Sequence, residues 1–353
     1  MTNNFSHISA LKVLGLILVV LGHSLGVYNV LWVYSSIVKA PLFHLLDLYI
    51  SSFHIKLFLF VSGYLYCYGK LNKKQYKKNK DFFINKAKRL LIPYFFIALI
   101  YMVPIQLWIK YGPYQNQSLL DIVFKGIILG KFPDHLWYVM MIFNVFVIFK
   151  LLLEKLTSKY SMVSILAVLF LLNLTSMKVI PDFFQLPTTF KNLIYFYIGY
   201  IVFANQDKLK RFITKKYAFA FFTAHLFVWS INTYFRSTSY VKMAKLKPIF
   251  VTNDFIMGVL GIFFCYIFIY LYFQNNNDPN INKNYIYRYL NQYNFSIYLL
   301  HEPIIFIILS KYAPTLINPI ILVSLCFFGS ILISILLSKI IERIKIIRPV
   351  IGL

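Results

Sequence analysis

Acidic residues are scarce in this chain. Only 11 of its 353 residues are Asp or Glu, against 36 Lys and Arg, and the glutamates are just three: Glu154, Glu302 and Glu342. Charged residues make up 13% of the total, too few for the surface of a soluble domain of this length. Cysteine is also sparse. Cys67, Cys265 and Cys326 all fall within apolar stretches, without metal spacing or an evident pairing, so they read as small buried hydrophobes. No disulfide framework and no metal are expected. No internal repeat is detectable, and residues 1–353 read as a single membrane domain. Lys and Arg are missing before Lys12, and no small-x-small cleavage site follows the first apolar run. The first span is therefore expected to be retained as a signal anchor.

Apolar residues make up 59% of the chain, in repeated stretches of about 20 residues. The fold class expected is an all-α integral membrane protein, about ten transmembrane helices in one bundle. The spans are placed near 9–28, 51–69, 90–109, 135–153, 162–180, 191–204, 217–235, 254–273, 294–310 and 318–341. The sixth is short and the seventh is interrupted by His225 and Asn232. The stretch from Ser118 to Gly130 is too short to span and reads as an interfacial or re-entrant helix.

The formal charge of +25 raises the question of nucleic acid, but the cations gather in short loops between apolar runs. That is the positive-inside pattern, and no nucleic-acid partner is expected. From Lys70 to Arg89 nine cations (Lys70, Lys73, Lys74, Lys77, Lys78, Lys80, Lys86, Lys88 and Arg89) face one Asp81. Basic residues also cluster from Lys208 to Lys216 and from Arg343 to Arg348. With ten spans these three segments fall on one side, which places both termini in the cytoplasm of a multi-pass cell-membrane protein. Arg236, Lys242, Lys245 and Lys247 on the other side dissent mildly. The Asn-rich stretch from Gln274 to Asn284 reads as a solvated loop.

Lys12 and His23 lie eleven residues apart in the first span, on one helix face and roughly 16 Å apart along the axis. Ionisable groups inside a bilayer face the protein interior or a water-filled cavity. Alone, Lys12 reads as a snorkelling lysine and His23 as a packed histidine; in register they favour function. His54 and His135 open the second and fourth spans from the same side as His23. Lys86 and Arg89 flank the third span on the side of Lys12. A phosphate-rich donor such as coenzyme A suits the cationic end, and an imidazole at the other end suits deprotonation of an acceptor hydroxyl. Loop-charge orientation accounts equally for Lys86 and Arg89, and an interfacial aromatic belt with Trp137 and Tyr138 accounts equally for His135. His7 and His44 are expected in water, and His225 is read as structural, without a nearby partner. Lys56 is expected to snorkel outward. Ser62 and Gly63 offer a small surface for close helix contact. The ninth span carries His301, Glu302 and Pro303, a costly mid-membrane set whose proline frees a backbone carbonyl.

Several segments together resemble the acyltransferase family three of integral membrane proteins. They are Lys12 and His23 with ten positions between them, and Phe53-His54 through Ser62-Gly63-Tyr64. Lys86-Ala87-Lys88-Arg89 before Pro93, His135-Leu136-Trp137-Tyr138, and Ser296 through Pro303 complete the set, in the family's order. The resemblance is strongest to the sugar O-acetylases of bacterial surface polysaccharides, and the richness in Ile, Lys and Asn resembles a low-GC bacterial chain. It implies a ten-span fold and transfer of acetyl from acetyl-CoA, the co-substrate, to a hydroxyl of a cell-envelope or exported glycan, lipid-linked or polymeric. It implies that His23 is central and that Lys12, Lys86 and Arg89 engage the donor. His54, His135, His301 and Glu302 are the further catalytic candidates. Two departures stand out: Lys12 replaces the commoner Arg, and Lys86-x-x-Arg89 replaces Arg-x-x-Arg. The alternative from another class is a multi-span exporter of lipid-linked sugar or of a small anion; no inverted repeat supports it.

Overall fold

The computed structural model describes residues 6–29, 32–73, 78–237, 247–275 and 284–352. Lys74, Lys77, Lys242, Lys245 and most of the Asn-rich stretch lie outside them. The described residues are helical without a strand, the outcome dictated by a bilayer in which each backbone group must find its partner within its own segment. Eleven principal helices run in order: α1 (Ser6–Leu25), α2 (Pro41–Ser51), α3 (His54–Leu71), α4 (Asn79–Trp108), α5 (Asp134–Lys159), α6 (Met162–Val179), α7 (Leu186–Ala204), α8 (Lys215–Ser237), α9 (Lys247–Asn275), α10 (Asn294–Tyr312) and α11 (Pro319–Arg343).

Among the described residues eight stretches are long and apolar enough to cross a membrane. The second of them joins α2 and α3 across a break at Ser52 and Phe53. The two expected spans not among the eight correspond to α7 and α8. Both are full-length helices, but α7 carries Thr188, Thr189, Lys191 and Asn192 in its first turns, and α8 carries His225, Asn232 and Arg236. Their polar residues serve the interior, as described below. The Ser118–Gly130 stretch forms a short helix, Leu119–Asp121 continuing as Ile122–Ile128. Leu119 and Leu120 face outward, while the Ile127 carbonyl accepts a 2.7 Å hydrogen bond from the buried Tyr94 hydroxyl.

α1 lies at the centre, packed by α2, α3, α9 and α10. Leu11, Leu16 and Val20 are wholly buried along it. α3 and α7 make the most extensive contact, backbone against backbone at Gly63 and Gly199. A Cβ at Gly63 would sit 1.9 Å from the Phe196 carbonyl oxygen, and one at Gly199 would sit 2.0 Å from that of Phe60. Small residues let membrane helices approach this closely, which bears out the reading of Gly63. All three cysteines are buried and free.

Candidate functional site

α10 explains how the polar centre is built. A helical proline has no N–H, so Pro303 leaves the carbonyl of Leu299, four residues earlier, without its usual donor. His135 takes that carbonyl through Nε2 at 3.1 Å. Its other ring nitrogen, Nδ1, lies 2.6 Å from Glu302 Oε2, and its backbone N–H donates to the same oxygen at 3.1 Å. Both nitrogens of this ring face acceptors, so both donate, and His135 is the imidazolium partner of Glu302. Tyr298 secures the turn by donating its hydroxyl to the His135 carbonyl. Tyr101 reaches the next carbonyl, that of Leu300, at 3.1 Å.

The second carboxylate oxygen belongs to His23. Its Nδ1 lies 3.1 Å from Glu302 Oε1 and 3.2 Å from His301 Nε2. His301 donates from Nδ1 to the helix carbonyls of Tyr298 and Ile297, at 2.8 and 3.1 Å, so its Nε2 is the acceptor in the contact with His23. His23 therefore carries its proton on Nδ1, with the lone pair on Nε2. A carboxylate behind one ring nitrogen leaves the other as the base, as in catalytic triads. The His23 side chain keeps 24% of its surface exposed, against 1% for His135 and 6% for Glu302. Of the four it is the member a substrate can reach, since His301 is wholly buried. Trp32 lies beside it, ring centroids 6.1 Å apart, in space that Gly26 leaves open.

His54 stands apart. Its Nδ1 donates to the Ile50 carbonyl at 2.8 Å, and among the described residues its ring has no hydrogen bond to the cluster, although it lies within electrostatic range of His23. The structure thus joins His23, His135, His301 and Glu302 and holds His54 at a remove. It adds Asp134, which the sequence reading missed. Asp134 adopts φ +40° and is pinned by Gln106 Nε2 at 2.6 Å and the Tyr111 hydroxyl at 2.8 Å. Burial and the Asp134 charge raise the Tyr111 phenol well above its ordinary range and push Tyr34 up to about 12, so both phenols stay protonated. The signal was the rarity of carboxylates itself, with one directly preceding His135.

At the other end of α1, Lys12 and Lys86 each lie within electrostatic range of Arg89. Lys12 Nζ reaches the Asn291 carbonyl at 3.4 Å, and Asn294 donates back to the Lys12 carbonyl at 3.1 Å, which ties α1 to α10. Lys86 lies 3.6 Å over the Phe146 ring, a geometry loop orientation alone does not require. Neither Lys12 nor Arg89 has an ion-pair partner among the described residues. Among those residues no cluster of His, Cys, Asp and Glu forms a metal-holding group.

Three expectations need correction. His7 is buried among Tyr64, Tyr266 and Tyr270, because α3 and α9 cover it, and His44 is half-buried. His225 does have partners: Ser52 Oγ at 3.1 Å and the Tyr49 hydroxyl at 3.2 Å, at the break between α2 and α3. Lys56 does not snorkel. It turns inward, hydrogen-bonded to the Ser52 carbonyl and, at 3.0 Å, to that of Asp254.

The acyltransferase domain model matches residues 5–339, nearly the whole chain. No curated protein and no solved structure matches it. With every motif of the resemblance inside the matched range, the chain belongs to acyltransferase family three of integral membrane proteins.

Proposed function

We propose that this membrane acyltransferase moves acetyl from acetyl-CoA to a hydroxyl of a cell-envelope or exported glycan, working in a bacterial cell membrane with both termini in the cytoplasm. The observation that carries the reading is one helix with two chemistries. Lys12 at one end has Arg89 within electrostatic range and, among the described residues, no carboxylate partner, and His23 at the other has a carboxylate behind Nδ1 and, among those residues, no hydrogen-bond partner on Nε2.

In this reading Lys12, Lys86 and Arg89 hold the donor's phosphates at the cytoplasmic end. Lysine neutralises phosphate as a point charge, and Arg89 adds a bidentate grip. His23 Nε2 takes the proton of the acceptor hydroxyl as its oxygen bonds to the thioester carbonyl carbon. The C–S bond then breaks, the carbonyl re-forms, and His23 returns the proton to the departing thiolate. Glu302 steadies the His23 imidazolium, while His135 offsets the carboxylate's charge and positions it. His301 holds the His23 ring in plane with its acceptor nitrogen, and His54 serves as an auxiliary base or acceptor contact. Direct transfer needs no acyl-enzyme.

The test compares surface glycan by NMR in wild-type, deletion and His23→Ala strains. The expected result is loss of acyl ester signals in both mutants with the glycan backbone intact. Unchanged acylation with glycan missing outside the cell would instead identify an exporter.

A further inference from the structure

We infer that the acceptor carries an acidic group, and that a cavity beside the histidine cluster holds it through Lys56 and Lys191. This rests on the acyltransferase reading and adds the acceptor's chemical class.

The cavity measures about 660 Å³, within the range of small-ligand pockets, and opens at the His23 end of the bundle. Trp137, two residues after His135, forms part of its wall, and so does Asn29, six residues after His23. Its cations are Lys56, Lys191 and Arg236, and its one carboxylate is Asp254. Arg236 occupies both Asp254 oxygens, each at 3.0 Å. Among the described residues that leaves Lys56 with carbonyl oxygens and the Tyr195 face, 5.9 Å from the ring centre, and no carboxylate contact. Asp254, Lys191 and Arg236 all lie within electrostatic range of Lys56: the carboxylate, already held by Arg236, attracts it, and the two cations repel it.

An inward lysine inside a span is costly, and the chain makes room for it. A Cβ at Gly258 would lie 2.4 Å from Lys56 Cδ. A positively charged pocket that includes a lysine held by neutral dipoles is completed by an anion. The remaining surface suits a sugar. Tyr195 and Trp229 supply aromatic faces, and Trp229 Nε1 and Asn232 Oδ1, a donor and an acceptor, are buried without partners among the described residues. Of the polar residues that lowered the apolarity of α7 and α8, Thr188, Lys191, Asn192, Asn232 and Arg236 line this cavity.

The acidic group is a carboxylate on the sugar or a phosphate linking the sugar to lipid, and the same cations serve either. Detergent-purified full-length protein is titrated with a glucuronate-containing oligosaccharide, its neutral glucose counterpart and a polyprenyl-diphosphate sugar, with thermal stabilisation as the readout. Half-saturation about tenfold lower for one acidic probe than for the neutral sugar, lost in Lys191→Gln, is expected; the probe that does so identifies the source of the charge. Lys56→Gln is tested alongside. Lys191→Gln, at the half-buried start of α7, keeps the test open if Lys56→Gln fails to fold, and its elution volume checks its own fold. Equal response to neutral and acidic probes, or response to none, overturns the inference. Acetyl transfer is measured separately: acidic probes that bind without any transfer would sink the enzyme reading and leave the binding inference standing.

Discussion

At one end of α1, Lys12 and Arg89 repel each other with no carboxylate partner for either among the described residues; at the other, His23 and His135 share the two oxygens of Glu302. The first corner is electrostatically incomplete and gains most when an anion enters. The second is complete before any substrate arrives, its protons already assigned by hydrogen bonds to helix carbonyls and to one carboxylate. Under the proposed function, the charge that binds and releases the donor is left open, whereas the charge that steers a proton is enclosed and held. The cavity at the His23 end follows the first pattern, with Lys56 held by neutral carbonyls.

The contrast can be broken at the enclosed end first. Removing His23 as alanine is expected to lower transfer about 10²–10⁴-fold, the usual worth of a positioned base, with donor binding retained. Purified protein assayed with acetyl-CoA and acceptor measures this. Glu302→Gln is expected to cost less in rate but most in folding. It strips the charge from a carboxylate buried between two rings, and breaking a buried pair costs about 3–5 kcal/mol. Thermal unfolding in detergent reads that loss, and an unchanged midpoint would mean Glu302 is not ion-paired. At the open end, Lys12→Met should raise donor KM about tenfold with kcat little changed, and Lys12→Arg should restore it. A kcat effect without a KM effect would move Lys12 out of donor binding. Raising ionic strength should weaken donor binding more than the proton-transfer step, because exposed charges are screened and enclosed ones are not. The smallest effect is expected from Pro303→Ala. The restored N–H competes with His135 for the Leu299 carbonyl, and transfer should fall several-fold without loss of fold.

Much of this was legible residue by residue. The register of Lys12 and His23 holds because both lie on α1, where helical geometry alone decides the spacing. Pro303 announced a freed carbonyl before its new donor was visible, since a proline's missing N–H is a covalent fact. Gly63 was legible as a close-packing residue for the same kind of reason: small size is local. Lys56, His7 and His225 were misread because a helix face says where a side chain points and not which neighbour meets it. Lys56 turns inward into room that Gly258, far away in the sequence, leaves by lacking a side chain. His225 found Ser52 and Tyr49 at a helix break that hydropathy does not register. The polar residues of α7 and α8 blurred their assignment as spans, and Thr188, Lys191, Asn192, Asn232 and Arg236 among them line the cavity.

By itself the sequence determined the class of molecule, the family and the level of each ionisable residue along its helix, since these follow from hydropathy, local geometry and ordered motifs. The tertiary structure decided the pairing. Glu302 and His135 are 167 residues apart in sequence, and their 2.6 Å contact depends on how α5 and α10 are rotated about their axes. That rotation is set by packing among all the helices at once, through contacts such as Gly63 on Phe196, and no single segment encodes it.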